Sequence, residues 1–303
     1  MTPLRKKMIL AMRQRGFSPR THKTYLSAVT DLARYFRRSP DLITSRELQA
    51  FFEYLVHERN LAPASCRVYL NGVRFLYLKV LEWPSFDVEL VVPRRAQRIP
   101  ELLTRAEVGR ILSACRNHKH RMLLELTYGC GLRVSEVVAL QVRDIDGERG
   151  LLRVALGKGA KDRMVTLPDT LLDRLRGYWT LCRPEQWLFP SSHAEGNPIC
   201  LTTAQRIFTN AKRRAGIDKV GGIHSLRHAY ATHQLENGLP VHELQRLLGH
   251  NNLQSTERYL HWLPGCCDAK RGHSDLLAQI GANPERVNLF PTDRRIFLCN
   301  NLG

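Results

Sequence analysis

The chain has 303 residues, 43% of them hydrophobic, enough to fill the cores of two compact domains. Its formal charge of +18 is spread along the whole length, with 18 Lys and Arg against 8 Asp and Glu in residues 1–99 and 28 against 20 in residues 100–303, a balance that suits a polyanion such as nucleic acid and also fits a generally basic protein or an anionic lipid surface. No apolar run approaches the ~18 residues of a membrane span, 8–12 is too short for a signal-peptide core, and eight scattered cysteines form neither a disulfide framework nor a Cys-x-x-Cys zinc site, so the expectation is a cytoplasmic protein with reduced thiols and no membrane association.

The first ninety residues carry apolar stripes at spacings of three and four. Tyr25, Val29, Leu32 and Phe36 form one; Leu48, Phe51, Phe52 and Leu55 a second; Tyr69, Val73, Leu76 and Val80 a third. Ser18 before Pro19, Thr44 with Glu47, and Pro63 are start signals for the three helices. A helical bundle is predicted. Between Trp83 and Pro100 the periodicity stops, prolines recur, and Arg94, Arg95 and Arg98 have no apolar face beside them, which reads as a basic linker.

Thr104 and Glu107 form another capping box and open a second domain. After a further apolar helix, Leu152, Val154 and Leu156 share one face of a strand, and 164–167 forms another beyond the turn Gly157-Lys158-Gly159-Ala160-Lys161-Asp162. Helical patterns follow at 171–181, 204–215, 226–235 and 241–248. The fold class expected is mainly α with a small β-hairpin.

Several residues have the chemistry to meet a phosphate. His224 and Arg227, three apart, fall on one side of a helix, although such a pair is more often a solvated surface. Arg133 follows two glycines in Gly129-Cys130-Gly131-Leu132-Arg133-Val134-Ser135-Glu136, where Glu136 is placed to orient it; the plainer reading is an intrahelical ion pair. Lys158 stands in the hairpin turn on a flexible stem, with Lys161 as competitor. His250 follows a helix-ending glycine, and Tyr259 lies nine residues on, in a context where a core tyrosine is the default. Together they supply phosphoryl-transfer chemistry: planar guanidinium forks for charge on the non-bridging oxygens, histidines and a lysine for protons, and a phenol for attack.

The order Arg, Lys, His-x-x-Arg, His, Tyr, in the contexts Gly-Leu-Arg-x-Ser-Glu, Gly-Lys-Gly, His-x-Leu-Arg-His, Leu-Gly-His and Thr-x-x-Tyr-x-His, resembles the tyrosine recombinase or phage integrase family over residues 1–262. The resemblance implies a two-domain C-shaped clamp around double-stranded DNA. Residues 1–85 would be a helical core-binding domain, 86–101 a linker, 102–264 the catalytic domain and 265–303 a C-terminal tail. It implies a site-specific recombinase that needs neither metal, cofactor nor ATP. Arg133, Arg227 and His250 would bind the scissile phosphate, with His224 assisting. Lys158 would protonate the leaving 5′ oxygen, Tyr259 would form a 3′-phosphotyrosine, and Glu136 would support from behind. Four protomers would act together on two sites; in the tail, Ser274 is placed to cap a short helix that a neighbour would bind, and a tail without a role is the equal alternative.

Three rivals use the same residues differently. Asp144, Asp146 and Glu148, in a turn-like stretch, or His224, His228 and His233 would be the ligands of a metal-dependent nuclease. A type IB topoisomerase uses similar chemistry to relax DNA. A DNA-binding protein on the same fold would have no need of the lysine, the tyrosine and both arginines.

Overall fold

The computed structural model describes residues 2–88, 100–155, 162–250 and 252–262. The basic linker arginines, the turn holding Lys158 and Lys161, Leu156, and the segment 274–280 lie outside them. The chain divides into two compact units, Met1–Arg98 and Ile99–Gly303.

Among its described residues the first unit has four α-helices, α1 Pro3–Gln14, α2 Pro19–Phe36, α3 Ser45–His57 and α4 Pro63–Lys79, and a short 3-10 turn at Pro40–Leu42. The capping signals act as the sequence predicts. Ser18 accepts from the Thr21 backbone N–H at 3.2 Å, and the Thr44 backbone N–H donates to Glu47 Oε2 at 2.8 Å. Helix α1 has no counterpart among the predicted stripes. It turns Met8 and Met12, four residues apart, into the same core as Leu32, Leu48, Phe51, Phe52, Leu55, Val73 and Leu76. Gly72 brings α4 against α2, because a Cβ there would stand 3.1 Å from the Tyr25 Cα.

Among the described residues the second unit has eight α-helices and a small three-stranded sheet. Helices α5 Arg105–Ser113, α6 His118–Gly129 and α7 Val134–Val138 precede strands β1 Ile145–Asp146, β2 Leu151–Val154 and β3 Arg163–Thr166. Helices α8 Asp169–Cys182, α9 Leu201–Arg214, α10 His224–Glu236, α11 Val241–Leu248 and α12 Gln254–Trp262 follow. The sheet is antiparallel in the order β1-β2-β3, with Leu152 opposite Val165 and Val154 opposite Arg163. The predicted hairpin is β2–β3. Strand β1 is an addition to the expected turn: Ile145 and Asp146 pair with Leu152 and Leu151.

Helices α6 and α10 run through the centre of this unit, with Met122 through Gly129 and nearly all of α10 after Ser225 buried. A helix so enclosed has no amphipathic stripe, and its polar side chains need internal partners. Thr127 returns its hydroxyl to the Leu123 carbonyl, and His233 Nδ1 meets the Tyr128 hydroxyl at 2.9 Å. Arg227 and Gln234 are wholly buried in α10.

Candidate active site

Two glycine turns shape the site. Helix α6 ends in a Schellman motif, with Leu132 N–H on the Thr127 carbonyl at 3.1 Å and Gly131 N–H on that of Tyr128 at 3.4 Å. Gly131 has φ +60°, and a Cβ there would stand 2.4 Å from the Tyr230 ring, so both conformation and space require glycine. Helix α11 ends the same way around Gly249, φ +61°, with His250 N–H on the Gln245 carbonyl at 3.1 Å. One turn delivers Arg133 to the start of α7, the other delivers His250, and each turns carbonyls inward.

Arg227 joins the two. Its side chain is 1% exposed. It donates to the Gly131 carbonyl at 2.7 Å, to the Leu248 carbonyl at 2.6 Å and to His250 Nε2 at 3.0 Å. Arg133 donates to the Gly249 carbonyl at 3.1 Å and to Glu136 Oε1 at 2.7 Å. Burial, then the nearby Arg133 charge, bring the Arg227 guanidinium down to about 10, so it stays protonated at neutral pH.

Glu136 organises the arginines. Besides Arg133 it takes both ends of the Arg163 fork, at 2.8 Å each, and the Arg133 backbone N–H at 2.8 Å, and Arg227 lies 3.7 Å away. Burial alone would raise its carboxyl. The bonds from Arg163 and Arg133 outweigh this and hold it at about 2. Arg163 also donates from Nε to the Leu247 carbonyl at 2.9 Å, so it ties β3 to the turn that carries His250. Three guanidinium groups thus face one carboxylate, which leaves the described part of the site with two uncompensated positive charges.

His250 is neutral and its tautomer is fixed. Nε2 accepts from Arg227, so the proton is on Nδ1, which donates to Thr256 Oγ1 at 2.8 Å. Burial, followed by Arg227 and Arg133, lowers its pKa to about 4.

Tyr259, on α12, is 2% exposed, with its ring nearly parallel to that of His250 at 6.5 Å and edge-on to Trp262 at 5.1 Å. Its hydroxyl meets His228 Nδ1 at 3.0 Å. Burial raises the Tyr259 pKa against the opposing pull of Arg227, Arg258 and Arg133, so the hydroxyl is protonated. His224 begins α10 and is exposed, with its ring edge-to-face on His228 at 4.5 Å. Crowding by the protein, then Arg227 and Arg133, lower its pKa.

The structure therefore brings Arg133, His224, Arg227, His250 and Tyr259 together, while Lys158 lies outside the described residues. His224 and Arg227 share a side of α10 but differ sharply in exposure: the histidine opens outward and the arginine is sealed beneath. Two of the three carboxylates of the rival metal reading are engaged elsewhere. Asp144 binds Arg153 at 2.8 Å and the Gln141 backbone N–H at 2.9 Å, and Asp146 caps the turn at Arg149. Of its histidines, His233 is turned to Tyr128.

Arg163, His228 and Thr256 are the residues the sequence reading passed over for this site. Arg163 had a signal: on β3 it alternates with Met164, and Val165 shares its face, so an inward arginine was readable. An inward arginine needs a carboxylate.

The site is thus a cluster of arginines held on two glycine turns, with a buried tyrosine beside it, in a mainly helical domain. Residues 101–264 match the Phage integrase family, and residues 4–85 match its N-terminal SAM-like domain. The chain belongs to the phage integrase family. A tyrosine recombinase of Thermosipho africanus is 37% identical over 258 residues, spanning 82% of this chain and 90% of that one. Among solved structures, the XerA recombinase is 25% identical with a TM-score of 0.52, covering 87% of this chain and 94% of that one. The Tn1549 transposon integrase, solved with circular intermediate DNA, shares the fold at 16% identity and a TM-score of 0.69, covering 91% and 97%.

Proposed function

We propose that this chain is a site-specific DNA recombinase that cuts and rejoins double-stranded DNA through a 3′-phosphotyrosine at Tyr259. The observation that carries the reading is the Tyr259 hydroxyl, buried beside Arg227, Arg133 and His250 in a site with excess positive charge. Arg133 and Arg227 hold the scissile phosphate, and the guanidinium forks take up the charge that develops on its non-bridging oxygens; His250, accepting from Arg227 at Nε2, sets the direction of that fork. The Tyr259 oxygen bonds to phosphorus as the bond to the 5′ oxygen breaks, and Lys158 gives that oxygen its proton. His224, at the open edge, assists proton transfer or phosphate placement.

The phosphotyrosine conserves the energy of the broken ester, so a second 5′ hydroxyl reseals the strand by the reverse step without ATP and without metal. The basic excess in both halves of the chain suits a long duplex contact. Four protomers acting on two sites is the assembly this exchange requires.

The test is covalent trapping. A pool of nicked duplexes with randomised sequence around the nick is incubated with the protein in EDTA, and adducts stable to detergent are counted. The wild-type chain forms an adduct and Tyr259→Phe forms none. An adduct that persists in the Phe variant, or that disappears in EDTA, refutes the reading.

A further inference from the structure

We propose that His228 is the positioning residue for the nucleophile, aiming the Tyr259 hydroxyl at the phosphate through a single hydrogen bond to Nδ1. The inference rests on the reading of Tyr259 as nucleophile.

Consecutive residues of α10 point about 100° apart, and here they divide two tasks. Arg227 reaches the glycine turns and His250. His228 reaches α12, where its ring packs on Tyr259 at 5.7 Å and edge-on to Trp262 at 5.5 Å. Its Nδ1 lies 3.0 Å from the Tyr259 oxygen.

The direction of the bond, between two neutral groups, is assigned by the proposal. Burial is the main reason that His228 stays neutral, and His224, Arg258, Arg227 and His250 all add to it. In the Nε2–H tautomer, which the proposal assigns to it, the neutral imidazole accepts at Nδ1 from the phenol. Tyr259 therefore donates its one proton to His228, and its oxygen lone pairs point away from His228. A phenol attacks phosphorus with a lone pair, so the hydrogen bond sets the line of attack. As the oxygen–phosphorus bond forms and the bond to the 5′ oxygen breaks, the phenolic proton leaves through the open edge of the site, where His224 stands. His224 stacks its edge on His228 from the preceding turn and braces the ring.

Three variants separate this role from simple packing. Asn places a carbonyl oxygen near the position of Nδ1, Gln places one near Nε2, and Leu fills the space without an acceptor. Single-turnover adduct formation on the nicked duplex pool is compared with DNA affinity measured at the same salt. His228→Leu and His228→Gln should slow the adduct by ~10- to 100-fold, the cost of misplacing a reacting atom by about an ångström. His228→Asn should stay within about threefold of wild type, the worth of a modest hydrogen-bond difference. Affinity should be unchanged in all three. Leu and Gln variants that react at the wild-type rate overturn the proposal. So does a faster Leu variant, which would mean that the bond restrains the hydroxyl, and so does an Asn variant as slow as Leu. If the wild-type chain forms no adduct at Tyr259, the nucleophile reading itself fails and this inference falls with it.

Discussion

Replacing Glu136 with Gln keeps the shape of the side chain and removes the carboxylate shared by Arg133, Arg163 and Arg227. Two routes give the size of the loss. Breaking a buried ion pair by neutralising one partner costs about 3–5 kcal/mol, because the remaining charge stays buried. Independently, the Glu136 carboxyl falls from 4.5 to about 2 on folding, and at ~1.4 kcal/mol for each pH unit this contributes about 3 kcal/mol at neutral pH. Since the folded value is the depressed one, the contribution is complete above about pH 4.5 and fades as pH falls towards 2. The assay is urea unfolding of the full chain followed by tryptophan emission in a Trp83→Phe background, where the three remaining tryptophans all lie in the second unit. The variant should be about 3 kcal/mol less stable at pH 7, and the gap to wild type should narrow between pH 5 and 3. A gap below ~1 kcal/mol at pH 7, or one that does not change with pH, would refute the account of Glu136 as the organiser of the arginines.

Gly131→Ala should destabilise by about 2–5 kcal/mol, from left-handed backbone strain and the collision with Tyr230; thermal denaturation measures it. Arg133→Ala should slow adduct formation by ~10²-fold or more, as loss of a transition-state donor does, with DNA affinity retained; an unchanged rate on the nicked pool would remove Arg133 from the phosphate. Thr256→Val leaves His250 Nδ1–H without its acceptor, which costs about 1–3 kcal/mol and should slow the adduct about tenfold; NMR of the imidazole nitrogens should show a mixture of tautomers in the variant and a single one in wild type. DNA binding should weaken steeply as salt rises, with a log–log slope that grows with the number of phosphate contacts; a flat response would count against a duplex partner.

The residues that meet in the site were legible because each sits in a short motif and the motifs come in a fixed order. Local chemistry made the helices legible too: the Thr44–Glu47 and Thr104–Glu107 boxes need only four residues to declare themselves. What escaped was long-range. Arg163 and Glu136 are 27 positions apart, and His228 and Tyr259 are 31 apart, so nothing in either segment announces the pairing. Strand β1 escaped because two residues are too few for a period to register. Helix α1 escaped because Lys6, Lys7, Arg13 and Arg15 surround an apolar face only two methionines deep. The depth of Arg227 is a tertiary fact as well: a His-x-x-Arg pair reads as one helix surface, whereas here the helix is central and opens outward at its two ends, His224 and Glu236.

The arginines also differ in how many hydrogens they have left. A guanidinium carries five N–H groups. Arg163 directs three of them at Glu136 and the Leu247 carbonyl and is 8% exposed, so it is a fastener. Arg227 directs three at Gly131, Leu248 and His250, which leaves two for the phosphate of the proposed reaction, the number that a pair of phosphate oxygens accepts. Lysine at position 227 would bring three hydrogens to the same three acceptors and have none to offer. The valence of the side chain, more than its charge, is what suits this position to arginine.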